Sequence, residues 1–181
     1  MMSSLRGFKQ KLSAISRLWE QADYDSALTE VESLLKFWPG NPHLHVFWAN
    51  LVQLQEHPQY GLDDARQALQ RAVDLERGSP AAAIELGHFL DSVDDDPQAA
   101  SKAYAEGVAV ARQLLIDGLI GRAKVLRQLG KTREFGRCLQ EARLLAQNHA
   151  GPKRSRGTGP GADYAEQIEE LLSEGLAGHP A

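Results

Sequence analysis

The chain has 181 residues, 43% of them hydrophobic and 24% charged, with a net charge of −4, enough apolar content for a packed core. It contains no run approaching the ~18 apolar residues needed to span a bilayer, and Met1-Met2-Ser3-Ser4-Leu5-Arg6 offers no apolar secretory core. The expectation is a cytoplasmic protein without membrane association. A single cysteine, Cys138, excludes an internal disulfide, and its neighbours Phe135 and Leu139 place it on or beside a packed helix face as an inert thiol.

In chain order, Leu5, Phe8, Leu12, Ile15, Leu18 and Trp19 recur at helical spacing over residues 5 to 21. Asp23 and Asp25 supply acceptors at the start of a second helix carrying Tyr24, Ala27, Val31 and Leu34, which ends before Pro39 and the turn Gly40-Asn41-Pro42. A second pair follows, with an extended turn His57-Pro58-Gln59-Tyr60-Gly61 and then Ala65, Leu69 and Ala72 ahead of Pro80. The third pair opens with Leu86-Gly87-x-x-Leu90 and continues with Ala100, Tyr104 and Gly107. Between its helices, Asp91 to Pro97 lacks the central glycine and the downstream glutamate of a calcium loop. Asp96 instead fits as an N-cap, with Pro97 in the first helical turn. A fourth pair has Leu119, Ala123, Leu126 and Leu129-Gly130 in its first helix and Phe135, Leu139 and Ala142 in its second. Residues 150–162, rich in Gly, Pro and basic side chains, read as a flexible linker. Residues 163–177 then form an amphipathic helix with Tyr164, Ile168, Leu171, Leu172 and Leu176 on one stripe, and the last four residues fray.

The second helices repeat a small-large-small cadence, anchored at Ala27, Ala65, Ala100 and Phe135, at intervals of 38, 35 and 35 residues. With Leu86, Gly87, Leu90 and Pro39 in register, this pattern resembles the tetratricopeptide repeat family over roughly residues 8 to 146. Ile15, His45 and Arg122 depart from it. The resemblance implies an all-α solenoid of about four helix pairs over residues 5–149, with the C-terminal helix capping or docking after the linker. It also implies a concave groove lined by first helices. Its inner positions would present Ser13 and Ser16, then Phe47, Asn50 and Leu54, then Ile84, Glu85, His88 and Asp91, then Ile120, Lys124 and Arg127. Among these the expected partner-binding residues are Phe47, Asn50, Leu54, Ile84, Glu85, His88, Lys124 and Arg127. Phe47 would serve as the apolar anchor, and Asn50 could hydrogen-bond an extended peptide. Of the positions that clamp acidic C-terminal tails in some family members, only Asn50 matches.

Charge is distributed in blocks: residues 1–111 hold 9 Lys and Arg against 16 Asp and Glu, residues 112–162 hold 11 against 3, and residues 163–181 hold none against 5. The net acidity and the lack of aromatic residues among the basic ones weigh against nucleic acid. A simpler reading folds the acidic tail helix onto the basic fourth pair, its glutamates meeting Arg133, Arg137 or Arg143. Docking onto a second copy or onto another protein is the alternative, the former making a homo-oligomer. There is no phosphate-binding glycine loop, nucleophile elbow or metal-spaced cysteine pair, and His43 and His45 point to different helix faces. No catalytic residue, metal or cofactor is expected. The function that follows is a noncatalytic adaptor or chaperone-like module holding a partner peptide or helix. The alternative is a regulatory subunit of an enzyme or defence effector complex.

Overall fold

The computed structural model describes residues 5–76, 79–147 and 160–177. They form eight helices: α1 (Leu5–Glu20), α2 (Tyr24–Leu35), α3 (Pro42–Val52), α4 (Leu62–Leu75), α5 (Pro80–Ser92), α6 (Pro97–Gln128), α7 (Thr132–Gln147) and α8 (Pro160–Ala177). The fold is all-α, built from consecutive helical hairpins. It divides into two compact units, Met1–Val108 and Ala109–Ala181.

In the first unit α1 packs on α2, α2 on α3, α3 on α4, and α4 and α3 on α5. Local chemistry starts and stops these helices. Asp23 accepts a hydrogen bond from the Ser26 amide, and Asn41 from that of Leu44 with Pro42 in the first turn. The carboxylate of Asp64 reaches back to the amide of Gly61, one half of a capping box. Asp96 accepts from the Ala99 amide at the head of α6, so Pro97 and Asp96 behave as a helix start. The α1–α2 turn places Ala22 at a φ of 56°, with the Asp23 amide bonded to the Leu18 carbonyl at 3.0 Å, a Schellman closure usually given to glycine. Ile15, Ala27, Val31, Leu34, Ala49, Leu51, Ala65, Leu69 and Ala72 are fully buried at the centre. Ile15 is thus a core residue where the repeat pattern expects a small one.

Small residues set how closely α5 meets the first part of α6. A Cβ added to Gly87 would lie 2.7 Å from the Tyr104 ring, and one added to Gly107 would lie 2.8 Å from Ile84 Cγ1. The third repeat's Gly87, Tyr104 and Gly107 are therefore an interlocking set.

One helix differs from the sequence expectation. The second helix of the third pair and the first helix of the fourth are continuous in α6, from Pro97 to Gln128. Val108 to Asp117 contains no glycine, proline or asparagine and several good helix formers, so nothing stops propagation. Gly130 (φ 69°) does end α6 ahead of α7: the Lys131 amide bonds to the Leu126 carbonyl at 3.0 Å.

In the second unit, Ile116, Leu119, Ile120, Ala123 and Leu126 of α6 join Phe135, Cys138, Leu139 and Ala142 of α7 and Ile168 and Leu171 of α8 in one buried cluster. Helix α8 packs along α7. Glu166, Glu169 and Glu170 face water while Ile168, at 1% exposure, sits in the core. This helix begins at Pro160. Residues 150–159 of the expected linker, Met1 to Ser4 and the last four residues lie outside the described residues.

Candidate functional site

Six of the eight expected binding residues belong to the first unit. Phe47 and Asn50 are on α3, Leu54 is two residues past its end, and Ile84, Glu85 and His88 are on α5, which packs against α3. Phe47 is half-buried, its ring 5.5 Å from that of Trp19 on α1, so the expected anchor is braced from the neighbouring helix pair. Trp19 also meets Tyr24 at 5.5 Å, edge to face. Leu54 is 39% exposed. Asn50 is partly buried, yet its side-chain amide makes no hydrogen bond among the described residues. A primary amide in that state has its donors and its acceptor available to a ligand backbone.

On α5 the three residues have different surroundings. Ile84 is directed at Gly107 and packs against α6. His88 is exposed, with its Nδ1 2.8 Å from the Tyr104 hydroxyl and the two rings 5.3 Å apart, edge to face. Glu85 is partly buried and makes no ion pair among the described residues. Burial, followed by the negative charges of Asp91 and Glu85, pushes the Tyr104 hydroxyl above its ordinary range. This end of the surface is acidic.

Lys124 and Arg127 are both exposed on the second part of α6, in the other unit. Ile120, projected onto the same surface, is 4% exposed and faces the α7–α8 core. It is a packing residue. The projection failed because the helix face buried by α7 and α8 includes this position. Ser13 and Ser16 are exposed on α1 but their hydroxyls donate to the Lys9 and Leu12 carbonyls of the preceding turn.

Several structural roles lay in residues that sequence reasoning passed over or counted as departures. His45 has a ring nitrogen 2.7 Å from the Pro39 carbonyl, holding the α2–α3 turn. The extended turn before α4 is anchored by Tyr60, whose ring meets Trp48 at 4.9 Å, while the Trp48 indole N–H donates to Glu32 at 3.4 Å. His57 in the same turn lies 3.0 Å from the Asp25 carboxylate, whose other oxygen is buried without a partner. A tryptophan on α3 with a tyrosine in the next turn was the available signal. A cavity of about 320 Å³ within the first unit is lined by Val73, Ala83, Leu86 and Leu90 together with Arg66, Lys102 and Glu106. Arg66 is already engaged by Asp63 at 2.6 Å and Asp94 at 3.7 Å.

In the second unit the tail helix meets basic α7 through Arg143 and Glu169, 3.5 Å apart. Arg133 and Arg137 make no ion pair among the described residues. The Tyr164 hydroxyl donates to Asp117 at 2.7 Å, and burial together with that carboxylate raises its pKa. Among the described residues no group of three or more His, Cys, Asp or Glu side chains could hold a metal ion, and no helix is long and apolar enough to cross a membrane.

No family model matches the chain. It is 31% identical over 88 residues to an uncharacterized 18.1 kDa protein in the carS 3′ region of Myxococcus xanthus, a stretch covering 49% of this chain and 52% of that one. The chain therefore spans about half the length of the curated relative it matches. Among solved structures, a crystal structure of MamA protein has a TM-score of 0.47 at 16% identity, covering 96% of each chain. A further crystal structure of MamA has a TM-score of 0.45 at 18% identity, covering 90% of this chain and 96% of that one.

Proposed function

We propose that this chain is a noncatalytic protein-interaction module that holds a peptide or helix of a partner protein on the α3–α5 surface of its first unit. The observation that carries this reading is Asn50: a partly buried amide with no hydrogen bond of its own, between half-buried Phe47 and exposed Leu54. An apolar anchor beside an unpaired donor and acceptor suits an extended backbone or the polar edge of a helix. Glu85 gives this surface a preference for a basic residue in the ligand. An adaptor, a chaperone-like holder and a regulatory subunit of an enzyme or effector complex all fit this chemistry, and they differ in what the partner does.

The test is selection from a displayed peptide library on the full chain. Enriched peptides should carry an apolar residue next to a basic one. They should lose at least ~10-fold in affinity when Asn50→Asp and Leu54→Glu are combined, the effect of removing a central contact worth over 1 kcal/mol. These positions are at the surface, so circular dichroism should be unchanged. Undiminished binding by the variant would remove the α3–α5 surface from consideration.

A further inference from the structure

The second part of α6 contains an anomaly. Gly118 and Gly121 are interior to a helix, where each glycine costs about 1 kcal/mol relative to alanine. Where α5 meets α6 a helical glycine is matched by a close neighbour, as Gly87 is by Tyr104 and Gly107 by Ile84, whereas Gly136 of α7 stands alone in open space. A Cβ added to Gly118 or Gly121 would meet nothing within 4 Å. These two glycines are flanked by Leu114 and Val125, each 53% exposed, and Leu129, 64% exposed, continues the same strip. The spacing 114, 118, 121, 125 puts all four on one face. That face lies opposite Ile116, Leu119 and Ala123, which already fill the core with α7 and α8.

We infer that this face is the contact surface for a second copy of the chain, paired antiparallel about Gly118 and Gly121. The order large, small, small, large reads the same in both directions. An antiparallel copy therefore sets Leu114 against Val125 of the second copy and Gly118 against its Gly121, allowing the backbones to approach closely. Charge follows the same symmetry. Asp117 and Lys124 are seven residues apart on one flank of the strip, and the two-fold relation brings Asp117 of each copy beside Lys124 of the other. Lys124 is exposed and has no ion-pair partner among the described residues. Asp117 uses one oxygen for the Tyr164 hydroxyl and keeps the other. A partner of unrelated sequence would require neither the palindromic size order nor the matched charges. From Leu114 to Leu129 the strip is only about 22 Å long at 1.5 Å per residue, so the pairing is at the small end of stable interfaces and depends on concentration.

Sedimentation equilibrium of the full chain over a wide concentration range is the test. A reversible dimer is expected, weakened at least tenfold by combining Leu114→Glu and Val125→Glu, with helicity unchanged. Register is read independently by oxidative cross-linking, with the parent chain and its buried Cys138 as the control. A mixture of Leu114→Cys and Val125→Cys chains should form mixed disulfides. Leu114→Cys alone should not, because its two sulfurs would be separated by about 16 Å along the axis against a Cα separation of ~6 Å in a disulfide. A monomer at every concentration, a dimer untouched by the two glutamates, or cross-linking of Leu114→Cys with itself would each overturn the proposal.

Discussion

The two units finish their helical hairpins by different means. In the first, each hairpin is covered by the next: α2 is buried by α3, α4 by α5, and α5 closes on the start of α6 through the Gly87–Tyr104 and Gly107–Ile84 contacts. In the second, among the described residues, α6 and α7 are followed by α8, which lies outside the repeat pattern and supplies Ile168 and Leu171 to their open side. A stacked helix pair cannot bury its own outer face, so something must take the place of the missing neighbour. The comparison teaches that this cover need not be a repeat. It needs only an apolar stripe of the right length and a charge pattern opposite to that of the helix it meets.

The largest test of that contrast is a chain ending at Gln147. Removing α8 strips the contacts of Ile168 and Leu171, each worth about 1.5–3 kcal/mol when buried. Hydrogen exchange should accelerate throughout α7 and leave α1 to α4 protected. Equal loss in both units would show that their stabilities are not separable in this way. A smaller effect is expected from Gly87→Ala, which drives a methyl group into the Tyr104 ring and should cost about 1–3 kcal/mol by overpacking. Denaturant titration would measure it, and a neutral result would mean that the ring moves aside freely.

Alkaline pH sharpens the comparison with the least perturbation. The Tyr164 hydroxyl has a raised pKa in the folded chain, chiefly from burial and then from its hydrogen bond to Asp117. A raised pKa means that the folded state holds the proton more tightly. The associated stability is fully present below the ordinary tyrosine pKa of about 10, and it is lost as pH rises through the higher folded value. Docking of α8 should therefore weaken in that alkaline window, and Tyr164→Phe should remove this component. Persistence of the full pH dependence in Tyr164→Phe would assign it to another group, with Tyr60, raised chiefly by its hydrogen bond to Glu32, the first to consider.

Much of this architecture was legible because apolar spacing records burial directly. Ala27, Ala65, Ala100, Phe135, Leu139 and Ala142 are all buried, as their places in the repeated pattern required. The caps at Asp23 and Asp96 were legible for a similar reason, since a short acceptor ahead of a helical run has few other uses, whereas Asn41, read only as part of a turn, also proves to cap α3. What escaped was the continuity of α6. The repeat template suggested a turn, whereas the residues from Val108 to Asp117 held no local signal for one, and local propensity prevailed. The same template placed Ile120 on an accessible face. That position depends on which neighbours α6 meets beyond Val108, information that a single-helix pattern does not hold. Glu169 and Arg143 show the intermediate case, where block charges indicated the two helices that meet but not which pair of side chains would.

Cys138 gives the chain a built-in clock. It is the sole thiol, 5% exposed, and sits between α7 and its neighbours in the second unit. A thiol reagent can reach it only while that unit is open, so under conditions where closing outruns labelling, the reaction rate reports the fraction of time spent open. No tag, dye or substitution is required, and the reading comes from the second unit alone.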